Sequence, residues 1–312
     1  MIRNSPYVLL ILATCIWGGN FVAGKVLVTH MPPITLAALR WCIAFAVLAP
    51  IYGKEAWKLR SDVRRHWKTV AFLAVTGVAG FNTLTYVAVQ YTSSINASLM
   101  NSATPILVVL LSWLMLGERI AWRAIPGIIV SMAGVAWIIA HGQPEMLLSL
   151  SFNPGDLWML LAVLCWALYS VGMKRAAGKF PASPLLLVQV AAALLLMLPL
   201  SAIELASVSR PIEWSLPFTA GLLYIALFAS IVAFLSWNRA IELAGPQRCA
   251  GFLNLIPMFS TVFAMGFTGE SFHGFHLLGV IFILSGIYMT QQAMKKNRPP
   301  RTEEAGAFNS SR

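Results

Sequence analysis

Stretches of about twenty apolar residues recur from one end of this chain to the other, and no other feature narrows its fold as far. At about 1.5 Å per residue, twenty helical residues cross the ~30 Å hydrocarbon layer of a bilayer. Only helices or closed barrels keep their backbone groups satisfied there. The runs cover about 7–29, 33–52, 69–91, 95–116, 122–140, 156–174, 183–205, 217–241, 247–268 and 275–294. An all-α integral membrane protein with ten transmembrane helices is therefore expected, with the lipid bilayer as its first partner. Composition agrees, since 58% hydrophobic and 11% charged residues leave too little polar surface for a water-soluble domain. The first run reads as a retained helix, because it lacks a small-residue cleavage site and leads straight into the second. The polar, proline-bearing residues 295–312 read as a disordered tail.

A net charge of +11 raises the question of nucleic acid, and the placement of the cations answers it. With the N-terminus in the cytoplasm, 19 of the 22 Lys and Arg fall on the inner side, six of them in the 53–68 loop. That is the positive-inside asymmetry, and it puts both termini in the cytoplasm. No segment gathers cations with stacking aromatics on one soluble face, so a nucleic-acid partner is not expected. Cys15, Cys42, Cys165 and Cys249 lie in or at the edge of apolar runs, without metal-ligand spacing or a disulfide pattern. His273 and His276 in "HGFH" are too few for a metal site. No metal or cofactor is expected, and the sequence sets no oligomeric state.

The chain also repeats itself. An offset of 152 superposes Pro105 on Pro257, Gly117 on Gly269, Glu118 on Glu270, Gly127 on Gly279 and Gly134 on Gly286. An offset of 149 superposes Ala13, Trp17, Lys25 and Pro32 on Ala162, Trp166, Lys174 and Pro181. These matches define a first five-helix repeat at 1–141, an outer linker at 142–155, a second repeat at 156–294 and the tail at 295–312. Five crossings return the chain on the opposite side, so the two repeats are expected to be inverted around a central cavity. The loops agree: 53–68 carries six cations, whereas its counterpart near 206–216 carries one and an acid. Inverted repeats are a route to alternating access.

"CIWGGNFVAGK" in the first run, "LRW" at 39–41, the proline to Gly-Glu blocks ending at Glu118 and Glu270, and "GDLWMLLAVLCWALYSVGMKR" resemble the EamA-type family of the drug/metabolite transporter superfamily. The resemblance spans roughly residues 7–294 and implies a ten-helix basket around a central cavity. It also implies export of amino acids, related metabolites or drugs.

Several residues are candidates for the cavity. Pro105 and Pro257 fall near the middle of their runs, where proline frees the carbonyl four residues back, that of Asn101 or Leu253. They are expected to act as hinges flanking the cavity, the plainer alternative being packing kinks. Asn82, Tyr86 and Gln90 share one helical face, and Phe234, Asn238 and Glu242 stand at the equivalent places. With Asn20, Ser98, Asn101, Ser102, Tyr169, Trp237 and Asn254 they offer a lining of amides, hydroxyls and rings. Each alone could equally join helices by a hydrogen bond. Trp17 and Trp166 lie away from the interfacial belt and form either an aromatic wall for the substrate or a packing contact between repeats. Arg40 lies inside the second run, where a guanidinium costs roughly 2.5–3.5 kcal/mol at the centre. It either grips a substrate carboxylate or phosphate or is capped by helix-end carbonyls, and its repeat mate is Gln189. Lys25, Lys174, Glu118 and Glu270 sit at helix ends as gate or anchor residues.

An enzyme is not expected, because no nucleophile with a positioned base and no His-Glu metal helix occurs. The expected function is a transporter exporting small metabolites down their own gradient, with small-molecule substrates as the second partner. The alternative is efflux of drugs or lipophilic cations, with proton coupling through Glu118 as an open second choice.

Overall fold

In the computed structural model, which describes residues 5–91, 100–118, 122–140, 142–148, 154–208, 212, 214–268 and 274–296, the described parts of the apolar runs are largely helical. No strand occurs among the described residues. In chain order the longer described helices are α1 (Pro6–His30), α2 (Pro33–Lys58), α3 (Trp67–Tyr91), α4 (Thr104–Leu116), α5 (Ile125–Ile139) and α6 (Pro154–Ala176). The remainder are α7 (Ala182–Ser207), α8 (Leu216–Ala244), α9 (Leu255–Thr268) and α10 (Gly274–Lys296). Seven of them, all but α4, α5 and α9, are long and apolar enough to cross a membrane. Their outer faces are bare hydrocarbon: Leu195 is 79% exposed and Ile203 65%, a liability in water that lipid removes.

Proline and glycine set the helix ends. Pro32 and Pro181, equivalent in the two repeats, stand immediately before α2 and α7 as their caps. Gly117 closes α4 at φ 67, a left-handed conformation that a side chain resists.

The helices pack mainly between repeats. α1 lies against α8 and α9, and α6 against α3 and α4; α2 pairs with α7 and α5 with α10. Exchanging the two halves of the chain maps this set of contacts onto itself. The self-paired contacts also have a direction. The start of α2 meets the end of α7, where Ser201 Oγ donates to Thr35 Oγ1 at 3.1 Å. Glu204 Oε1 accepts from the Ile34 N–H at 3.1 Å, and Glu204 Oε2 from the Thr35 N–H at 2.7 Å. Between α5 and α10 the glycines meet crosswise: a Cβ on Gly127 would lie 2.7 Å from Gly286 O, and one on Gly134 2.7 Å from Gly279 O. Both equivalent pairs therefore run antiparallel, and the α5–α10 contact is backbone on backbone.

Two features depart from regular helix. Ala74–Gly80 within α3 and Ile225–Val232 within α8 wind as π-helix. They are nearly superposed by the 152-residue offset. A π-turn widens the helix and frees carbonyls from the regular ladder. The prolines also differ from expectation. Pro105 is the second residue of α4, and Pro257 the third of α9 after a 3₁₀ turn over Gly251–Asn254. In the first turn a missing N–H has no intrahelical partner to lose, so these prolines start helices instead of kinking them. The mid-helix prolines are Pro50 in α2 and Pro199 in α7, a pair at offset 149.

Candidate functional site

A cavity of about 30 Å³ lies in the middle of the bundle. Its wall is Trp17, Asn20 and Phe21 of α1, Phe81, Asn82, Thr85 and Tyr86 of α3, Asn101 before α4, Trp166 of α6, Phe234 of α8, Leu253 of the 3₁₀ turn before α9 and Ile256 of α9. Both repeats contribute to it. The volume suits about two waters, so the site is nearly closed in this conformation.

Aromatic rings fill the centre. Trp17 and Trp166 meet edge to face at 5.1 Å, and Phe81 lies 4.8 Å from Trp166. Phe234 packs 5.8 Å from Trp17 and 5.4 Å from Trp166. Edge-to-face geometry aligns ring edges with ring faces and adds to the area buried. The two tryptophans are equivalent in sequence but not in bonding. Trp17 Nε1 donates to Ala229 O in the π-turn of α8 at 3.1 Å. Trp166 Nε1 has no partner among the described residues, and Gly77 O, the counterpart of Ala229 O, instead accepts from Asn82 Nδ2 at 3.2 Å.

Behind this wall lies Arg40, 1% exposed. Its Nε donates to Ser230 Oγ at 2.7 Å, and its Nη1 to the Tyr86 hydroxyl oxygen at 2.7 Å and to Asn20 Oδ1 at 3.4 Å. Ser230 in turn donates to Ile225 O at 2.8 Å, a carbonyl of the α8 π-turn. Among the described residues Nη2 has no hydrogen-bond partner and no carboxylate neutralises the guanidinium. The equivalent positions in the second repeat hold a neutral cluster. The single Tyr169 O–H proton is shared between Asn238 Oδ1 at 2.9 Å and, more distantly, Gln189 Oε1 at 3.4 Å. Sequence-equivalent residues thus form two spatial triads, Asn20–Arg40–Tyr86 and Tyr169–Gln189–Asn238, one charged and one neutral.

This arrangement of two matched halves has a counterpart in known proteins. The description of the EamA-like transporter family fits residues 4–140 and again 153–291. The chain belongs to that family. Transporters of the drug/metabolite superfamily, multi-pass proteins of the membrane that handle small molecules, are therefore its kin, and it is not an enzyme. It is 27% identical over 285 residues to the uncharacterized transporter YyaM of Bacillus subtilis, covering 90% of this chain and 92% of that one. It is 26% identical over 300 residues to a probable amino-acid metabolite efflux pump of Salmonella typhimurium, covering 94% and 97%. A probable terminal-alkyne amino-acid exporter of Streptantibioticus cattleyicolor is 24% identical over 283 residues, covering 90% and 91%. A solved crystal structure superposes with a TM-score of 0.74 at 21% identity, over 94% of this chain and 99% of that one, which shows a shared fold.

The other candidate residues of this transporter fall in three places. Tyr169 and Trp237, both fully buried, and Asn238 lie outside the cavity wall, held in the neutral cluster or packed against the central rings. Asn254 donates to Ser131 Oγ at 3.0 Å and joins the 3₁₀ turn before α9 to α5, and Ser102 is buried beside the break before α4. Ser98 and Glu270 lie outside the described residues. Among the gate candidates, Glu118 Oε2 accepts from Gln247 Nε2 at 2.9 Å, tying the end of α4 to the segment before α9. Lys25 is exposed and Lys174 half-buried. Sequence reasoning passed over Phe81 and Thr85, although each precedes a residue of the Asn82–Tyr86 stripe. It also passed over Asp156, which is 1% exposed in the first turn of α6, where the helix dipole favours a carboxylate.

Proposed function

We propose that this protein is a carrier of the cell membrane that exports small metabolites such as amino acids by alternating access. Its ten crossings would form two inverted five-helix repeats with both termini cytoplasmic. The observation that carries this reading is the position of the cavity, walled by α1, α3 and the segment before α4 from one half and by α6, α8 and the segment leading into α9 from the other. A site shared by two similar halves can be exposed to either side as they rock. The antiparallel pairing of α2 with α7 and of α5 with α10 supports the inversion, because an operation that exchanges equivalent helices and reverses them has its axis in the membrane plane. The names of the Salmonella and Streptantibioticus relatives support amino acids as cargo.

The Trp17–Ala229 bond gives the rocking a molecular form. Trp17 docks on the α8 π-turn while its mate Trp166 is undocked from the α3 π-turn. In the opposite-facing conformation the roles exchange: Trp166 donates to Gly77 O and Trp17 is released. Breaks before Pro105 and Pro257 let α4 and α9 follow. No carboxylate lines the cavity among the described residues, which favours flux down the substrate's own gradient. A pH-gradient dependence abolished by Glu118→Gln would instead make the process proton-coupled.

The rings of Trp17, Trp166 and Phe81 favour a second reading, efflux of lipophilic cations, since a ring face attracts cations by about 0.5–2 kcal/mol. Uptake into liposomes of a labelled panel decides between them. Saturable movement of amino acids supports the first reading, movement of the cation alone the second, and silence across the panel contradicts both.

A further inference from the structure

The polar groups of the cavity wall are not randomly oriented. Arg40 can only donate, so the groups it touches must present acceptors to it. The Tyr86 oxygen and Asn20 Oδ1 are therefore turned towards the guanidinium. What each has left is a donor: the Tyr86 O–H and the Asn20 N–H₂. Both residues line the cavity, and neither donor is used among the described residues. Thr85, one residue before Tyr86, adds a third. It is 8% exposed, lines the same wall, and its hydroxyl has no partner among the described residues.

One turn earlier on the same helix, α3, the polarity reverses. Asn82 spends its Nδ2 on Gly77 O and Val78 O at 3.2 and 3.1 Å, which leaves its Oδ1 as an acceptor. Three donors backed by one guanidinium that has no carboxylate partner among the described residues thus share the wall with the amides of Asn82 and Asn101 and the rings of Trp17, Phe81 and Trp166. The second repeat cannot build such a donor set, because Gln189 replaces Arg40 and the Tyr169 hydroxyl already donates to Asn238.

Resting on the transporter reading above, we propose that Tyr86, Asn20 and Thr85 form a monoanion subsite that receives a substrate's carboxylate, with Arg40 as the positioning residue that fixes their donor orientation. A single buried positive charge matches one negative charge. A carboxylate at the mouth of this donor set also relieves the cost of holding Arg40 without a counter-ion. The substrate's apolar body then lies on the rings, and an amino group, where present, faces Asn82 Oδ1 and the ring faces. A substrate carrying an amide in place of the carboxylate keeps one acceptor but turns an N–H₂ towards donors and brings no negative charge, so it binds more weakly.

The test uses purified full-length protein and three probes: phenylalanine, 3-phenylpropionate and phenylalaninamide. Binding is read by the change in tryptophan fluorescence, and flux by uptake into liposomes. The two acids should bind about tenfold or more tighter than the amide, the scale of a lost hydrogen bond to a charged group. Tyr86→Phe, which keeps the ring, should bring the acid-to-amide ratio to within about threefold, whereas mere destabilisation lowers binding of all three and leaves the ratio alone. Arg40→Lys should retain part of the ratio and Arg40→Gln should lose it. Equal binding of acid and amide by the unaltered protein, or a ratio indifferent to Tyr86→Phe, overturns the subsite. Acid-selective binding without flux leaves the subsite standing and overturns the transport reading.

Discussion

Removing the Trp17 indole N–H, by Trp17→Phe, should tilt the protein away from the conformation described here, and Trp166→Phe should tilt it the other way. The bond from Trp17 Nε1 to Ala229 O is 3.1 Å long and buried between α1 and α8. Interhelical hydrogen bonds in membranes contribute roughly 0.6–1.7 kcal/mol, so its loss shifts a two-state equilibrium by about three- to eighteen-fold. Trp166 makes no such bond here, and removing its N–H withdraws one that forms only after the roles exchange. Each substitution also leaves a void beside the same ring cluster, a cost that falls on both variants and cancels in their comparison. Hydrogen–deuterium exchange reads the outcome at two helix-end segments on opposite sides, 31–36 before and into α2 and 245–250 before α9. Trp17→Phe should raise exchange at one segment and lower it at the other, and Trp166→Phe should do the reverse. Both variants moving the same way, or neither moving, would refute the exchange of docking partners.

Other consequences concern the joints between repeats. Gly134→Ala places a Cβ 2.7 Å from Gly279 O and 2.8 Å from the Ile283 nitrogen, so it should lower thermal stability in detergent by about 1–3 kcal/mol, as overpacking does. Gly53→Ala, with nothing within 4 Å, should instead raise it by roughly 0.5–1 kcal/mol through helix propensity; equal effects of the two would contradict the backbone contact. Glu204 accepts from two backbone N–H groups at the start of α2 and from the Thr35 hydroxyl at 2.7 Å. Glu204→Ala should therefore cost about 0.5–2 kcal/mol in the same melts and Glu204→Gln less, because the amide retains one acceptor. A wild-type melt for Glu204→Ala would remove this staple from the account.

The repeat was legible because Trp, Lys and Pro are scarce within apolar runs, so Trp17 with Trp166 and Pro32 with Pro181 stand out without an alignment. The same reasoning could have found Pro50 and Pro199, which share that offset and are the mid-helix prolines. Pro105 and Pro257 misled because run length alone does not show where a helix begins; each run contains a break just before its proline. The site was half legible. Helical spacing put Asn82 and Tyr86 on one face, and Arg40 announced itself by its cost in lipid. The direction of its hydrogen bonds depends on which side chains α1, α3 and α8 bring to it, and neighbours from three helices leave no local trace in sequence. The π-turns were invisible for the same reason: Ala74–Gly80 and Ile225–Val232 contain nothing that ordinary helix would refuse.

Counterflow tests the central claim most directly. Liposomes bearing the protein are loaded with a high concentration of unlabelled amino acid and diluted into a trace of the labelled one. A single cavity exposed alternately to the two sides predicts a transient overshoot of label above its equilibrium level, followed by decay. A monotonic approach to equilibrium, as through a pore open to both sides at once, would contradict it.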